Sequence, residues 1–393
     1  MAASRFQTII ASMSTTSGFT IQNSLLALGF AMLLAAGCKD EKDDFTEGSF
    51  YPPGTVQPQN PGTDTTITTA EKCWEAPIET TKAADFNQLF TRYSGWTGGD
   101  ATYSIPLPDG RTAWFFGDSF IGTVNANRSR PSGPFHRNAV MVQDGDQMTT
   151  LTGGSSAFLV PSEQGWWYWP GHGLAYGDTL QVVYYGFKST GSGAWDFAYA
   201  SVDVVTFSLP DFTVLSVERK LADPTINFGA SVLVDGDYTY LFGAEKVGFS
   251  KFLHVARVAG HDLSGDWEYF DGTGWTGDAA NSARLFANVS EQFTVFKHSG
   301  HYYLLTQHHI LGGEIYLYDS DDPLHGFSNK KLLYCTPQTG VNGQFTYNAF
   351  AHTQFSGNGE LLVSYNVNTN IFADLFKNAD TYRPFFVRVK GWE

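Results

Sequence analysis

Four carboxylates in this chain of 393 residues, Asp100, Asp118, Glu245 and Glu291, stand at the ends of short β-hairpin patterns. In an antiparallel hairpin, opposed residues lie at a constant index sum and share one face of the sheet. The turn Asp109-Gly110 therefore sets Asp100 opposite Asp118, within one position. The turn Ser299-Gly300 sets Glu291 against His308, and Asp235-Gly236 sets Asn227 against Ala244, beside Glu245. In the last hairpin Asn348 falls near Asn366. Opposed Cβ atoms are roughly 4.5–5.5 Å apart, and two carboxyls that close cannot both ionise easily. A raised acid beside an ionised partner is what glycosidic cleavage requires: one group protonates the leaving oxygen, the other attacks or activates water.

Other side chains of these segments add binding chemistry rather than a cofactor. His172 and His352 fall on inner strands, and His308 ends one. They are placed to touch sugar hydroxyls or to surround a structural channel cation such as calcium. No close HxH or HExxH spacing exists, so no transition-metal site is expected. Trp96 and Trp169 are the aromatic faces expected at the mouth of the site, with Asn227 and Asn366 as hydrogen-bonding partners for substrate. No GxSxG, catalytic-cysteine neighbourhood or P-loop is present, which removes serine hydrolase, cysteine protease and NTPase readings. A formal charge of -15 excludes nucleic acid as a main partner.

The elements that must position these groups recur. Five segments share one pattern, a strand, a Gly-centred turn and an aromatic-rich strand: Asp100–Asp118, His172–Phe187, Asn227–Glu245, Glu291–His308 and Asn348–Asn366. Their turn glycines, Gly110, Gly177, Gly236, Gly300 and Gly359, recur at intervals of about 60 residues, a period that with several strands per unit marks a β-propeller. Composition agrees: aromatics make up 16% and charged residues only 16%, with 41 glycines. The expected fold is all-β, a five-bladed propeller with two outer strands following each hairpin. The last unit ends four residues after Pro384–Val389, one strand short, and the segment Trp74–Arg92 is expected to supply that strand and close the ring.

The N-terminal part reads differently. An apolar run from Leu25 to Ala36 is too short to span a bilayer and has the size of a signal-peptide core. It closes on Leu34-Ala35-Ala36-Gly37-Cys38, which resembles a bacterial lipobox with Cys38 as the lipidated residue. Residues 1–37 are thus expected to be a signal peptide, 38–72 an acidic and Pro/Gly/Thr-rich disordered tether, and 73–393 the propeller. The acidic run after Cys38 resembles the export signal of Bacteroidetes surface lipoproteins. An outer-membrane anchor is expected, on the periplasmic or outer side, with membrane contact only through the lipid and a monomeric domain. Cys73 and Cys335 are then the remaining thiols, and a bridge between them is expected as one of two alternatives, the other being two separate buried thiols.

The run Gly95-Trp96-Thr97-Gly98-Gly99-Asp100, continuing to Trp114-Phe115-Phe116-Gly117-Asp118-Ser119-Phe120, resembles the opening of Bacteroidetes proteins grouped as domain-of-unknown-function family 5005. That family is similar to family 4185, some of whose members hydrolyse arabinans. Both look like the five-bladed propeller glycoside hydrolases that include arabinanases and fructosidases. The resemblance implies an Asp at the start of the first inner strand, matched by Asp100, and a general-acid Glu on a later blade, Glu291 or Glu245. Where those enzymes often carry another Asp on the second blade, this chain offers His172. The resemblance favours inversion, with Asp100 as base, Glu291 as acid and Asp118 holding or tuning Asp100. A retaining Asp100/Asp118 pair stays open, as does a capture lipoprotein that binds glycan without cleaving it.

Overall fold

The computed structural model describes residues 78–131, 135–153, 157–192, 196–248 and 250–393. Cys38, the expected signal and tether, and Cys73 lie outside the described residues. Cys335 is disulfide-bonded.

Five antiparallel sheets form the blades, each built outward from one innermost strand. Blade I runs Ser94–Pro106, Thr112–Thr123, Ala139–Asp144 and Gln147–Leu151, with Phe135–His136 as a short extra pairing. Blade II runs Trp167–Tyr176, Thr179–Ser189, Phe197–Ser208 and Val214–Ala222. Blade III starts Ser231–Asp235, Tyr238–Val247 and Ser250–Ala259, and continues outward through Glu268–Phe270 and Trp275–Thr276. Blade IV runs Phe293–His298, His301–Gln307, Glu314–Ser320 and Ser328–Cys335. Blade V runs Gln344–Ala351, Glu360–Thr369 and Arg383–Lys390, and its outermost strand is Glu79–Lys82 from the other end of the domain. Glu79 pairs with Lys390 and Lys82 with Val387, which closes the ring as the strand count required. The innermost strands touch in cyclic order, I to II, III, IV, V and back to I.

Each of the five turn glycines has a left-handed backbone, with φ between +61° and +90° at Gly177 and Gly300, values that side-chain-bearing residues adopt at a cost. Between turns the strands are apolar on both faces, because every blade is covered on both sides by its neighbours. Trp114, Phe115 and Phe116 are consecutive and all fully buried. Trp114 and Phe116 pack with Leu362 and Phe386 between blades V and I, while Phe115 packs with Tyr184 and Phe207 between blades I and II. Comparable cores separate blades II and III, III and IV, and IV and V. The aromatic content is thus mainly the filling between five wedges.

Candidate active site

The first inner strand is not regular where Asp100 sits. Its pairing with Thr112–Thr123 slips between Trp96 and Gly98, between Gly99 and Ala101, and between Ala101 and Tyr103. Ala101 and Thr102 both have positive φ, +69° and +66°, a conformation disfavoured for a β-branched residue. The surrounding side chains hold this bulge. Gln292 donates to the Ala101 carbonyl at 2.6 Å, and Asn366 donates to the Gly99 carbonyl at 3.1 Å and to Thr102 Oγ1 at 3.0 Å. The bulge turns the Asp100 carboxyl onto Gly117 and into the company of Asp118.

Burial, reinforced by the Asp118 charge, pushes the Asp100 carboxyl up to about 7. Burial also raises Asp118, to about 6, against the pull of Arg137 and Trp169. Trp169 Nε1 donates to Asp118 Oδ1 at 2.8 Å, and Arg137 Nη1 lies 3.2 Å from Oδ2. The Arg137 guanidinium also rests over Trp167 at 4.6 Å. Hydroxyls of Tyr347 and Tyr382 reach Asp100 Oδ2 at 3.0 and 3.2 Å. The ladder passes from Gly99↔Ser119 to Ala101↔Phe116 without pairing Asp100 or Asp118, and half-buried Asp100 and buried Asp118 are two coupled carboxyls that resist full ionisation at neutral pH.

Gly117 makes the arrangement possible. A Cβ there would lie 2.4 Å from Asp100 Oδ1, closer than non-bonded atoms approach. Gly117→Ala should displace the carboxyl and destabilise the fold by about 1–3 kcal/mol, the range for overpacking. Thermal denaturation checks this, and an unchanged midpoint would show that Asp100 does not occupy the space.

Glu291 lies just before the inner strand of blade IV, next to the Gln292 that braces the Asp100 bulge. Its carboxylate is ion-paired with buried Lys251, accepts from the Tyr199 hydroxyl, and accepts from Asn227 Nδ2 at 2.8 Å. Burial lowers Lys251 to about 7. The expected register is kept, but the pairing of Glu291 with His308 lies beyond the ladder. The blade IV ladder begins at Phe293↔Thr306, and His308 turns to Glu314, with Nδ1 at 3.4 Å. Glu245 is bound on both oxygens by Arg284, at 2.6 and 3.1 Å, and by His254 at 3.2 Å. The His254 and Arg284 hydrogen bonds hold it down at about 2, so Glu245 has no proton to give near neutral pH.

The expected binding residues divide. Trp169 is at the pair and partly exposed, and aromatic side chains of Trp167 and Phe197 lie 6.1 and 5.3 Å from it. His172 stacks on Tyr103, accepts from the Val232 N–H at 3.0 Å, and is kept neutral by burial, which lowers it to about 4. Asn227, 3% exposed, serves Glu291 and receives the Ala244 N–H on Oδ1 at 2.8 Å. Three residues need correction. Trp96 is fully buried between blades V and I, packed on Phe116 at 4.4 Å, because the slip after it turns its ring away from the channel. His352 is fully buried with its ring nitrogens on Ser104 and Ser364, at 2.6 and 2.8 Å. Asn366 is fully buried and braces the bulge instead of facing a substrate. Sequence reasoning missed Arg137, Tyr199, Lys251, Tyr347 and Tyr382. Only Tyr347, one residue before the hairpin end at Asn348, was within reach of the register argument. Among the described residues no group of three or more His, Cys, Asp or Glu is placed to hold a metal ion.

Five closed blades, the first carrying two coupled carboxyls, define a five-bladed β-propeller with a built polar site. The chain belongs to the family described as a domain of unknown function (DUF5005), whose model matches residues 83–392. Among solved structures it is similar to a Bacteroides ovatus protein described as a "putative hydrolase", at 25% identity and TM-score 0.70, covering 84% of this chain and 97% of that one. Weaker likenesses include a GH43_1 enzyme of Xanthomonas citri complexed with xylose, at 16% identity and TM-score 0.44 over 78% of this chain and 92% of that one. An α-L-arabinofuranosidase of Podospora anserina is 11% identical, with TM-score 0.44 over 76% of this chain and 92% of that one. No curated protein matches the sequence.

Proposed function

We propose that this protein is a glycoside hydrolase acting on a poly- or oligosaccharide, an arabinan-like or related glycan. The observation that carries the reading is the Asp100/Asp118 pair, with Asp100 near 7, together with Glu291 beside the residue that braces the Asp100 bulge. A group that titrates near the working pH is suited to general acid–base catalysis. In this reading Asp100 activates water, Asp118 with Arg137 and Trp169 positions it, and Glu291 protonates the leaving oxygen. Lys251, lowered by burial, need not keep the proton it shares with Glu291. Trp169 supports the sugar ring.

One observation favours a second reading, glycan capture without cleavage. Glu291 is engaged by Lys251, Tyr199 and Asn227 at once, an environment suited to an ionised carboxylate rather than a donor. The purified protein incubated with a panel of polysaccharides, with reducing ends and binding measured in parallel, separates the two. New reducing ends support the hydrolase, and binding with no product in any arm supports capture.

The reading includes an address. Cys38 is the lipidated first residue of the mature chain, anchored at the outer membrane through the acidic tether. Cys38→Ser should abolish incorporation of labelled fatty acid and move the protein from the membrane to the soluble fraction. Unchanged labelling would refute the anchor.

A further inference from the structure

Two tyrosines from blade V and the segment before its third strand touch one oxygen of Asp100, and their hydrogen-bond partners make them unequal. We propose that Tyr347 is a positioning residue that selects the ionised form of Asp100, whereas Tyr382 accommodates either protonation state.

The argument is one of counting protons. A tyrosine hydroxyl has a single proton to donate. The Thr369 N–H donates to Asn368 Oδ1 at 2.7 Å, which fixes that amide and directs Nδ2 at the Tyr347 oxygen, 3.2 Å away. The Tyr347 oxygen is thereby occupied as an acceptor, and its own proton goes to Asp100 Oδ2 at 3.0 Å. This hydroxyl favours a carboxylate and disfavours a proton on Oδ2.

Tyr382 faces two acceptors. Its oxygen is 3.0 Å from the Asp118 backbone carbonyl and 3.2 Å from Asp100 Oδ2. When Asp100 is ionised, the Tyr382 proton can point at Oδ2. When Oδ2 is protonated, the Tyr382 proton returns to the Asp118 carbonyl, and its oxygen accepts from the carboxylic acid. The same hydroxyl therefore serves both states of a group that must gain and lose a proton. Burial keeps both phenols protonated, well above their ordinary range. Among the described residues the titratable groups that act on Asp100 are these two tyrosines, by hydrogen bonds, and Asp118, by its charge. Arg137 acts on it through Asp118, and Glu291 with Lys251 lies beyond Gln292.

The catalytic consequence rests on the hydrolase reading, but the effect on ionisation does not, so the two are measured separately. Protein carrying ¹³C at aspartate Cγ reports the Asp100 titration directly, its signal assigned by disappearance in Asp100→Asn. Tyr347→Phe should raise the Asp100 midpoint by roughly one pH unit, the scale of a lost charge-assisted hydrogen bond. Tyr382→Phe should raise it by less than half as much. Asn368→Asp, which turns the donor into a competing acceptor for the Tyr347 proton, should shift it in the same direction as Tyr347→Phe. Equal shifts in the two tyrosine variants, or none in Tyr347→Phe, would overturn the proposal. If the midpoint moves as expected and the acid limb of the kcat/KM profile moves with it, both readings stand. If the midpoint moves and the limb does not, the tuning stands and the assignment of Asp100 as base falls.

Discussion

Asp100→Asn and Glu291→Gln should each lower kcat on the cleaved glycan by at least ~100-fold, the low end for removal of a general acid or base. Glycan binding should survive both. For Asp100→Asn an opposite effect on stability would exclude misfolding as the cause. Asp100 is raised in the folded state from 3.8 to about 7 by burial and by Asp118. Stability from its protonated form is therefore present below about 4 and lost as pH climbs through about 7. Asn stays neutral throughout and loses nothing. The Asp100→Asn variant should accordingly melt above wild type at pH 8, with the gain gone at pH 4. An inactive enzyme that is more stable at its working pH is the signature of a group kept for chemistry at the expense of the fold. Aryl glycosides with good leaving groups separate the roles further, since Glu291→Gln should recover turnover on them and Asp100→Asn should not. Near-normal turnover of the glycan by Asp100→Asn would remove that residue from the mechanism.

The second large effect concerns the segment that closes the ring. Phe90 is fully buried against Phe386 at 4.7 Å, Trp114 at 4.8 Å and Trp96 at 5.9 Å. Phe86, 5% exposed, lies beside it. Phe90→Ala should cost about 3–5 kcal/mol, as for other buried aromatics cut to Ala. In a domain of this size that lowers the melting midpoint by roughly 5–8 °C. A chain starting at Tyr93 loses both phenylalanines and the strand Glu79–Lys82. The loss then approaches the ~5–15 kcal/mol that holds a whole domain together, so no cooperative melting transition is expected. Calorimetry of the two proteins checks both statements, and an intact transition in the truncated chain would show that blade V stands without its fourth strand.

The ring and its seam were legible because both rest on counting. Five Gly-centred hairpins recur, and the last blade, whose third strand is Arg383–Lys390, lacks a fourth strand that the start of the domain supplies. The nearness of Asp100 to Asp118 was legible for the same reason, since the outer part of that ladder keeps a constant index sum from Pro106↔Thr112 to Tyr103↔Phe115, although the register shifts before it reaches either residue. Face assignments failed where residues are inserted. Each slip in a strand moves the following side chains to the other face. Three slips between Trp96 and Tyr103 therefore put the Trp96 ring in the core, and one between Tyr347 and Phe350 separates the faces on either side of it. Lys251 starts a third strand and Tyr382 precedes another, beyond the reach of any hairpin rule. Glu245 differs again: His254 is its diagonal neighbour on the next strand, within reach of the same counting, but Arg284 comes from a later segment whose pairing leaves no local pattern.

The seam also has a meaning in time. A chain is made from its N-terminus, so Glu79–Lys82 exists before any part of the blade it completes, and must wait for Lys390. During that wait every nascent sheet offers an unpaired edge on which a stray strand could settle. The waiting strand reads Glu79-Thr80-Thr81-Lys82, four residues with no aliphatic side chain and a charge at each end. It has little to gain from a wrong partner. At its own place Lys390 meets Glu79 across the strand pair, and Asp85, in the short helix Ala84–Leu89 that follows, reaches Arg388. Late assembly is thus made selective by weakness: the last piece adheres poorly everywhere except where a complete ring is already waiting for it.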